Sequence, residues 1–451
     1  MPKRFSVHQF DNGLTVVMEF MPQTVSSAVG FLVKTGARDE HQKLDGVSHF
    51  LEHMMFKGTH KRGWQEINRD FDRMGARYNA FTSWEETCYY AWVLNEEVPH
   101  ALELLCDMLA PSLPEGEFVT EKKVILEEIA RYRDMPEHIA FEEAMKVAFA
   151  GHRLSSNILG GSESIKRLTR EQMSGYFNQR YVPDNMVLFA CGNLDENALL
   201  RSVEDHMGKR SGSRTNRVQV APDFHPGKKS VVNADIARQH LVLMWPALPL
   251  NDRRNVASAL LGAVLGDDNN SRLYWALRHT GLAEEAGGGY WGFSDTGLMA
   301  IHASCDPAKS GQVGAILRQE AGKLKKKIRE EELQRVKNRA RTALVFSAET
   351  PFNRFRQLMH HWSVRRELLT IEEMLARVNE VTVEDLYALL KEFPLDTEGV
   401  VVHLGPANDK KIVPSAPRKP VSKGKLKKKR RIVPVARVRK AARKVRALKK
   451  R

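Results

Sequence analysis

The chain has 451 residues but only four cysteines, and it has no long apolar run. Cys88, Cys106, Cys191 and Cys305 form no C-x-x-C pair and show no regular spacing, which argues against a disulfide framework. No stretch of about eighteen apolar residues occurs, and the first ten residues lack the apolar core of a signal peptide. We therefore expect reduced, mostly buried thiols in a soluble cytoplasmic protein with neither a membrane span nor a transit peptide.

Acidic residues are almost absent from residues 406–451, and aromatic residues are absent there altogether. This segment contains 20 Lys or Arg residues and one acidic residue, Asp409, so its net charge is +19. Because the net charge of the whole chain is +15, residues 1–405 carry a net charge of −4. We expect a disordered basic tail, since so little apolar surface cannot offset the entropy of ordering. The tail could bind the phosphates of nucleic acid or an anionic membrane, or it could be a solubilising extension.

The remaining residues have the composition of a globular protein, and their patterns of strands and helices occur in two similar series. The intervening segment 208–229 is rich in Ser, Arg, Asn and Pro and reads as a linker. We predict an α+β fold with two similar domains, residues 1–207 and 230–405, each with a mostly antiparallel sheet packed with helices. Only the first series contains a motif with clear chemical meaning.

That motif is His49-Phe50-Leu51-Glu52-His53, an H-x-x-E-H sequence flanked by apolar residues. Side chains four residues apart lie on the same face of a helix, so His49 and His53 can reach one metal ion. Glu52 lies beside them and can serve as a base for a water molecule. On a buried helix, such ionisable groups are costly without a partner or a metal. The motif therefore predicts a zinc site.

A catalytic zinc site usually has three protein ligands, so a third ligand is expected elsewhere in the chain. The segment 120–132 reads as an amphipathic helix on which Glu121 and Glu128, seven residues apart, share nearly the same face. Glu127 points about 100° away and is the weaker candidate. We take Glu128 as the best candidate for the third ligand.

These features resemble the pitrilysin family of zinc peptidases, which includes insulin-degrading enzymes and the mitochondrial processing peptidase. The resemblance implies that His49, His53 and Glu128 bind Zn²⁺, that Glu52 is the catalytic base, and that Glu121 supports the site. It also implies that each chain is half of a clamshell that closes over the substrate.

The likeness extends to a predicted strand and, less closely, to the second half of the chain. Asn79, Ala80 and Phe81, followed by Thr, are similar to the family's N-A-x-T strand, whose edge pairs with the substrate backbone. In the second half, Arg278 stands where an Arg of catalytic members contacts substrate. Glu284 occupies the position where those members usually have a Tyr. Half of the substrate-binding apparatus is therefore expected to be absent or to come from another chain.

The resemblance implies a zinc metalloendopeptidase that hydrolyses peptides or unfolded polypeptides and works as a homodimer or as a heterodimer with a related subunit. Two alternatives stay open. The chain could be a weakly active or non-catalytic subunit of a heteromeric peptidase, or an adaptor that its basic tail tethers to nucleic acid or membrane.

Overall fold

The computed structural model describes residues 4–212, 217, 220–267 and 269–407. The predicted tail lies outside the described residues from position 408 onward, as does part of the predicted linker. All four cysteines are buried free thiols, as expected from the sequence. Within the described ranges, no helix is both long enough and apolar enough to cross a bilayer.

The first half of the chain forms a six-stranded sheet with the order β1-β2-β6-β3-β5-β4. Its strands are β1 (Phe5–Gln9), β2 (Thr15–Phe20), β3 (Ser26–Val33), β4 (Arg77–Thr82), β5 (Thr87–Leu94) and β6 (Met186–Gly192). Neighbouring strands are antiparallel except for β2 and β6, which are parallel. The strand β4 lies at one edge of this sheet.

The second half forms a five-stranded sheet with the order β7-β11-β8-β10-β9. Its strands are β7 (Gly227–Val232), β8 (Gln239–Ala247), β9 (Glu285–Gly292), β10 (Gly297–Cys305) and β11 (Val400–Gly405). Only β7 and β11 are parallel. This order matches that of the first sheet without β1, so β9 is the counterpart of β4. The predicted α+β fold with two similar halves is confirmed, although β7 begins inside the segment predicted as a linker.

Fourteen α-helices are found in the described residues, eight between the strands of the first half or directly after its last strand and six in the second half. They are α1 (Val47–Met54), α2 (Trp64–Arg73), α3 (Val98–Met108), α4 (Glu115–Arg133), α5 (Pro136–Ala148), α6 (Ser162–Arg167), α7 (Arg170–Arg180), α8 (Glu196–Met207), α9 (Asn255–Gly266), α10 (Ser310–Leu324), α11 (Glu330–Ser347), α12 (Pro351–Arg365), α13 (Ile371–Glu380) and α14 (Val383–Glu392). A short π-helical turn spans Tyr274–Arg278.

One helix from each half packs on the sheet of the other half. Helix α5 packs on β8 and β11 of the second sheet, whereas α12 packs on β2, β3 and β6 of the first sheet. Arg354 of α12 is buried, and its guanidinium contacts the buried carboxylate of Glu19 on β2 at 2.7 Å. The two halves therefore share apolar cores, which the boundaries predicted from sequence do not anticipate.

Candidate metal centre

Helix α1 carries the H-x-x-E-H motif, and a buried carboxylate holds its N-terminus. Glu40 accepts hydrogen bonds from the backbone N–H groups of Gly46 (2.7 Å) and Ser48 (2.8 Å). Gly46 has a φ of 90°, and a Cβ there would lie 2.5 Å from the carbonyl oxygen of Leu159. A residue with a side chain would therefore clash as well as be strained at this position. These contacts set the point at which α1 enters the core.

The three predicted ligands meet at one point. The Nε2 atoms of His49 and His53 each lie 3.7 Å from Oε2 of Glu128, which is on α4. Ligand atoms of the three residues all lie within 4.8 Å of one another. Two zinc bonds of about 2.0–2.1 Å at a tetrahedral angle place their ligand atoms about 3.3 Å apart. The three side chains therefore fit a zinc ion after a small contraction.

Burial keeps the first ligand in the form that binds metal. Burial, with a smaller effect of the nearby His53, lowers the pKa of His49 to about 3. A neutral imidazole has a lone pair for a metal, whereas an imidazolium does not. The Nδ1 atom of His49 is buried and makes no hydrogen bond within the described part of the chain.

The second candidate ligand, His53, contacts a carboxylate through its other ring nitrogen, and a lysine contacts the same carboxylate. Nδ1 of His53 lies 3.1 Å from Oε2 of Glu121, whose other oxygen contacts Nζ of Lys57 at 2.7 Å. Burial alone would lower the pKa of His53, but the hydrogen bond with Glu121 and the neighbouring carboxylates raise it overall. For Glu121 the effect of burial is outweighed by His53 and Lys57, so its pKa is lowered. A carboxylate at Nδ1 leaves the Nε2 lone pair free for a metal.

Glu52 lies on the same helix and is also buried. Burial raises the pKa of its carboxyl group, and a hydrogen bond of 2.5 Å from the hydroxyl of Thr82 partly offsets this effect. Thr82 is the last residue of β4, so the edge strand and α1 are joined at the candidate base. From the sequence, Thr82 is identified only as the last residue of the N-A-x-T strand, and Lys57 is not identified. Their contacts with the site depend on the fold. Glu127, the weaker candidate ligand, is exposed.

The predicted substrate strand is β4, and it has a free edge because it pairs only with β5 in the described sheet. Asn79 is exposed, and its side chain accepts a hydrogen bond from the N–H of Ala80 (2.9 Å). Ala80 faces the core that contains α1, whereas Phe81 packs on the opposite face with the cluster under α12. An edge strand of this kind can pair with an added peptide strand.

Arg278 lies with the second sheet, away from the three candidate ligands. Its guanidinium stacks on the ring of Tyr274 at 5.6 Å, and the π-helical turn that contains both residues packs against β9 and α10. Glu284, at the position of the family's Tyr, forms an ion pair with Arg238. A role for Arg278 in binding substrate stays a prediction.

Comparison with protein families gives two adjacent matches. Residues 15–162 match the model of insulinase, peptidase family M16, and residues 167–340 match the model of the peptidase M16 inactive domain. The first match contains the three candidate ligands and Glu52. The second contains the linker region and most of the second sheet.

Similar proteins and structures cover most of the chain. A protein of Rickettsia felis named an uncharacterized zinc protease is 31% identical over 390 residues, which span 86% of this chain and 94% of that protein. A Bacillus subtilis protein of the same description is 31% identical over 395 residues, 87% of this chain and 95% of its own. The crystal structure of a protease from Helicobacter pylori superposes with a TM-score of 0.82 at 21% identity, covering 89% of this chain and 99% of the other.

Proposed function

Because the chain belongs to the insulinase (M16) family of peptidases, we propose that it is a zinc-dependent endopeptidase that hydrolyses peptides or unfolded polypeptides. The observation that carries this proposal is the convergence of His49, His53 and Glu128 on one point, with Glu52 on the same helix. Chains that merely retain the fold have no physical need for this costly buried cluster.

The chemistry divides between the metal and one carboxylate. A zinc ion held by the three side chains would supply Lewis-acid activation of water and of the scissile carbonyl group. Glu52 accepts the proton of the attacking water and then donates it to the nitrogen of the leaving amine. The raised pKa of Glu52 suits both steps, because it brings the carboxyl group closer to neutral pH. Thr82 holds one carboxylate oxygen, Oε2, and leaves Oε1 for the proton.

The substrate adds to the edge of β4 as an extended strand. Backbone pairing of this kind requires a segment with unpaired N–H and C=O groups, which a short peptide or an unfolded polypeptide offers and a folded domain does not. Asn79, Ala80 and Phe81 form the strand on which this pairing takes place. The ability of a protein to serve as substrate is therefore expected to rise when it is unfolded.

The active form is a homodimer or a pair with a related subunit. Members of the family commonly act as pairs of related chains, and a chain of Complex III2 from Candida albicans shares this fold with a TM-score of 0.78 at 18% identity. The ion pair of Glu284 with Arg238 occupies the position of the family's Tyr, which favours a partner that supplies the missing contact. The proposal also places the protein in the cytoplasm. Its basic tail is proposed to bind nucleic acid or membrane.

Metal analysis combined with a peptidase assay tests this function. We expect about one zinc ion per chain in both the wild type and Glu52→Gln, and a loss of turnover of about 10²- to 10⁴-fold in the variant. Glu127→Gln changes an exposed carboxylate on α4 and serves as the matched control, with normal turnover. A wild-type chain that takes up no zinc, or a Glu52→Gln variant with full turnover, would refute the proposal.

A further inference from the structure

An apolar cavity of about 900 Å³ opens between the two halves of the chain, directly beyond the end of β4. Residues Ser83–Glu86, which connect β4 to β5, form the wall on the side of the first half. Thr82, which contacts the candidate base Glu52, is the residue directly before Ser83. The wall therefore begins one residue after that contact. A peptide paired with β4 and extended past Thr82 therefore reaches the cavity.

The opposite wall belongs to the second half and is mostly aromatic or aliphatic. It is formed by the end of β9 and by side chains of α9, α11, α12 and α13. Trp84 of the first half meets Phe293 at 5.7 Å between ring centroids, and Phe141 of α5 meets Trp291 at 5.8 Å. The volume lies within the range of about 300–1,000 Å³ that is typical of ligand pockets.

The cavity lies at a position in the second half that corresponds to the position of the metal centre in the first half. The metal centre lies beside α1 and the end of β4, whereas the cavity lies beside α9 and the end of β9, the counterparts in the second sheet. The two edge strands thus each end at a depression. The metal centre is built from histidines and glutamates, whereas the lining of the cavity is mostly aromatic or aliphatic and also includes Glu85, Glu86, His360, His361, Arg365 and Arg377.

Two residues that line the cavity contain a buried polar atom without a partner in the described part of the chain. The Nδ1 atom of His361 and the hydroxyl oxygen of Ser363 are buried and form no hydrogen bond with any described residue. Burial, followed by the neighbouring His360, lowers the pKa of His361 to about 3, so this imidazole is neutral.

We propose that this cavity binds bulky apolar side chains of the substrate, so that the enzyme selects polypeptide segments with an apolar residue near the cleaved bond. This inference rests on the proposed function and names its substrate class. An extended chain advances about 3.3 Å per residue, so the selected residue lies within about five positions of the cleaved bond. Such a segment is exposed in unfolded proteins and buried in folded ones.

Two exposed alanines allow the cavity to be filled without disturbing the core. Ala259 of α9 and Ala343 of α11 both line it, and both are exposed. Ala259→Trp and Ala343→Trp therefore narrow the cavity, whereas Thr342→Trp adds the same side chain at the neighbouring exposed position of α11 that does not line it. All variants are made in the full-length chain. Circular dichroism checks that each variant folds.

The assay compares fluorogenic decapeptides in pairs, and the two members of a pair differ only in Phe or Ser at one position within five residues of the cleaved bond. We expect the wild type and Thr342→Trp to cleave the Phe peptide with a kcat/KM about tenfold higher or more. In Ala259→Trp and Ala343→Trp this ratio falls towards one, while turnover of the Ser peptide stays within about twofold of the wild type. An unchanged ratio in both variants overturns the inference.

Binding measurements separate this inference from the proposed function. Fluorescence anisotropy reports the affinity of each labelled peptide for Glu52→Gln with and without Ala343→Trp, and it requires no turnover. A preference for the Phe peptide that Ala343→Trp abolishes supports binding of apolar side chains in the cavity even if cleavage is absent.

A photoreactive benzoylphenylalanine at position 343 tests whether another segment occupies the cavity. Cross-linking to the peptide supports the proposal, and cross-linking to residues 408–451 of the same chain overturns it.

Discussion

Apart from β1, the two sheets have the same strand order, but the helix that packs beside the edge strand differs between them. In the first half, α1 carries two histidines and a glutamate in the space beside β4. In the second half, α9 (Asn255–Gly266) contains no His, Asp or Glu and is mostly buried. One fold therefore supports a candidate catalytic groove and a groove without metal chemistry, and the difference lies in a few side chains.

Glycines allow the backbone of α9 to pack directly against β9. A Cβ on Gly262 of α9 would lie 2.9 Å from Cα of Gly289, and one on Gly266 would lie 2.6 Å from the amide nitrogen of Gly288. The backbone of α9 is therefore in contact with β9. In the first half, α1 and β4 are joined through side chains, because the carboxylate of Glu52 accepts a hydrogen bond from the hydroxyl of Thr82.

The largest expected effect tests whether metal binding is confined to the first half. His49→Ala removes one of three ligands, and we expect its zinc content to fall from about one ion per chain to nearly none after dialysis. His302→Ala changes a histidine of the second sheet and should leave the zinc content unchanged. Inductively coupled plasma mass spectrometry measures both. Zinc retained by His49→Ala and lost from His302→Ala would reverse the comparison of the two halves.

The next largest effect is on stability and concerns α12, the helix of the second half that packs on the first sheet. Arg354→Ala leaves the buried carboxylate of Glu19 without its main partner, so we expect a loss of about 3–5 kcal/mol in the free energy of unfolding. Arg4 also contacts Glu19, at 3.3 Å, but its side chain is 39% exposed. Arg4→Ala should therefore cost about 1 kcal/mol or less. Urea unfolding followed by circular dichroism measures both variants, and equal losses would show that burial does not set the strength of these pairs.

The smallest effect concerns the carboxylate behind His53. Glu121→Gln removes the charge that orients and polarises this ligand, and we expect the zinc affinity to fall by about 10- to 100-fold. Glu127→Gln, an exposed change on the same helix, should leave the affinity as it is. Competition with a chromogenic zinc indicator measures both constants. An unchanged affinity in Glu121→Gln would mean that Lys57 and Glu121 stabilise only the fold.

Local patterns were enough to predict much of the site. His49, Glu52 and His53 follow from helix periodicity, because residues three and four apart share a face whatever the rest of the fold does. The duplication of strands and helices was also predictable. Glu128 was harder to predict because it lies on a separate helix. Spacing shows which residues of that helix share a face, but it does not show which other element that face packs against.

Long-range contacts account for what the sequence did not predict. The apolar periodicity of residues 117–150 predicts one continuous helix, but α4 ends at Arg133 and α5 begins at Pro136, whose ring prevents a continuous helix. Because of this break, α5 can pack on the second sheet. Residues 311–346 likewise have the pattern of one helix but form two, α10 and α11. Periodicity alone cannot show such breaks when apolar residues continue on both sides of them.

The sequence by itself determined the identity of the candidate zinc-binding groups, the division into two similar halves and the basic character of the C-terminal segment. Each depends on residue type and local spacing. The tertiary structure alone decided which carboxylates face the histidines, that Thr82 holds Glu52, and that an apolar cavity lies where the second edge strand ends. These features join residues far apart in the chain, and only the packing of the two sheets and their exchanged helices brings them together.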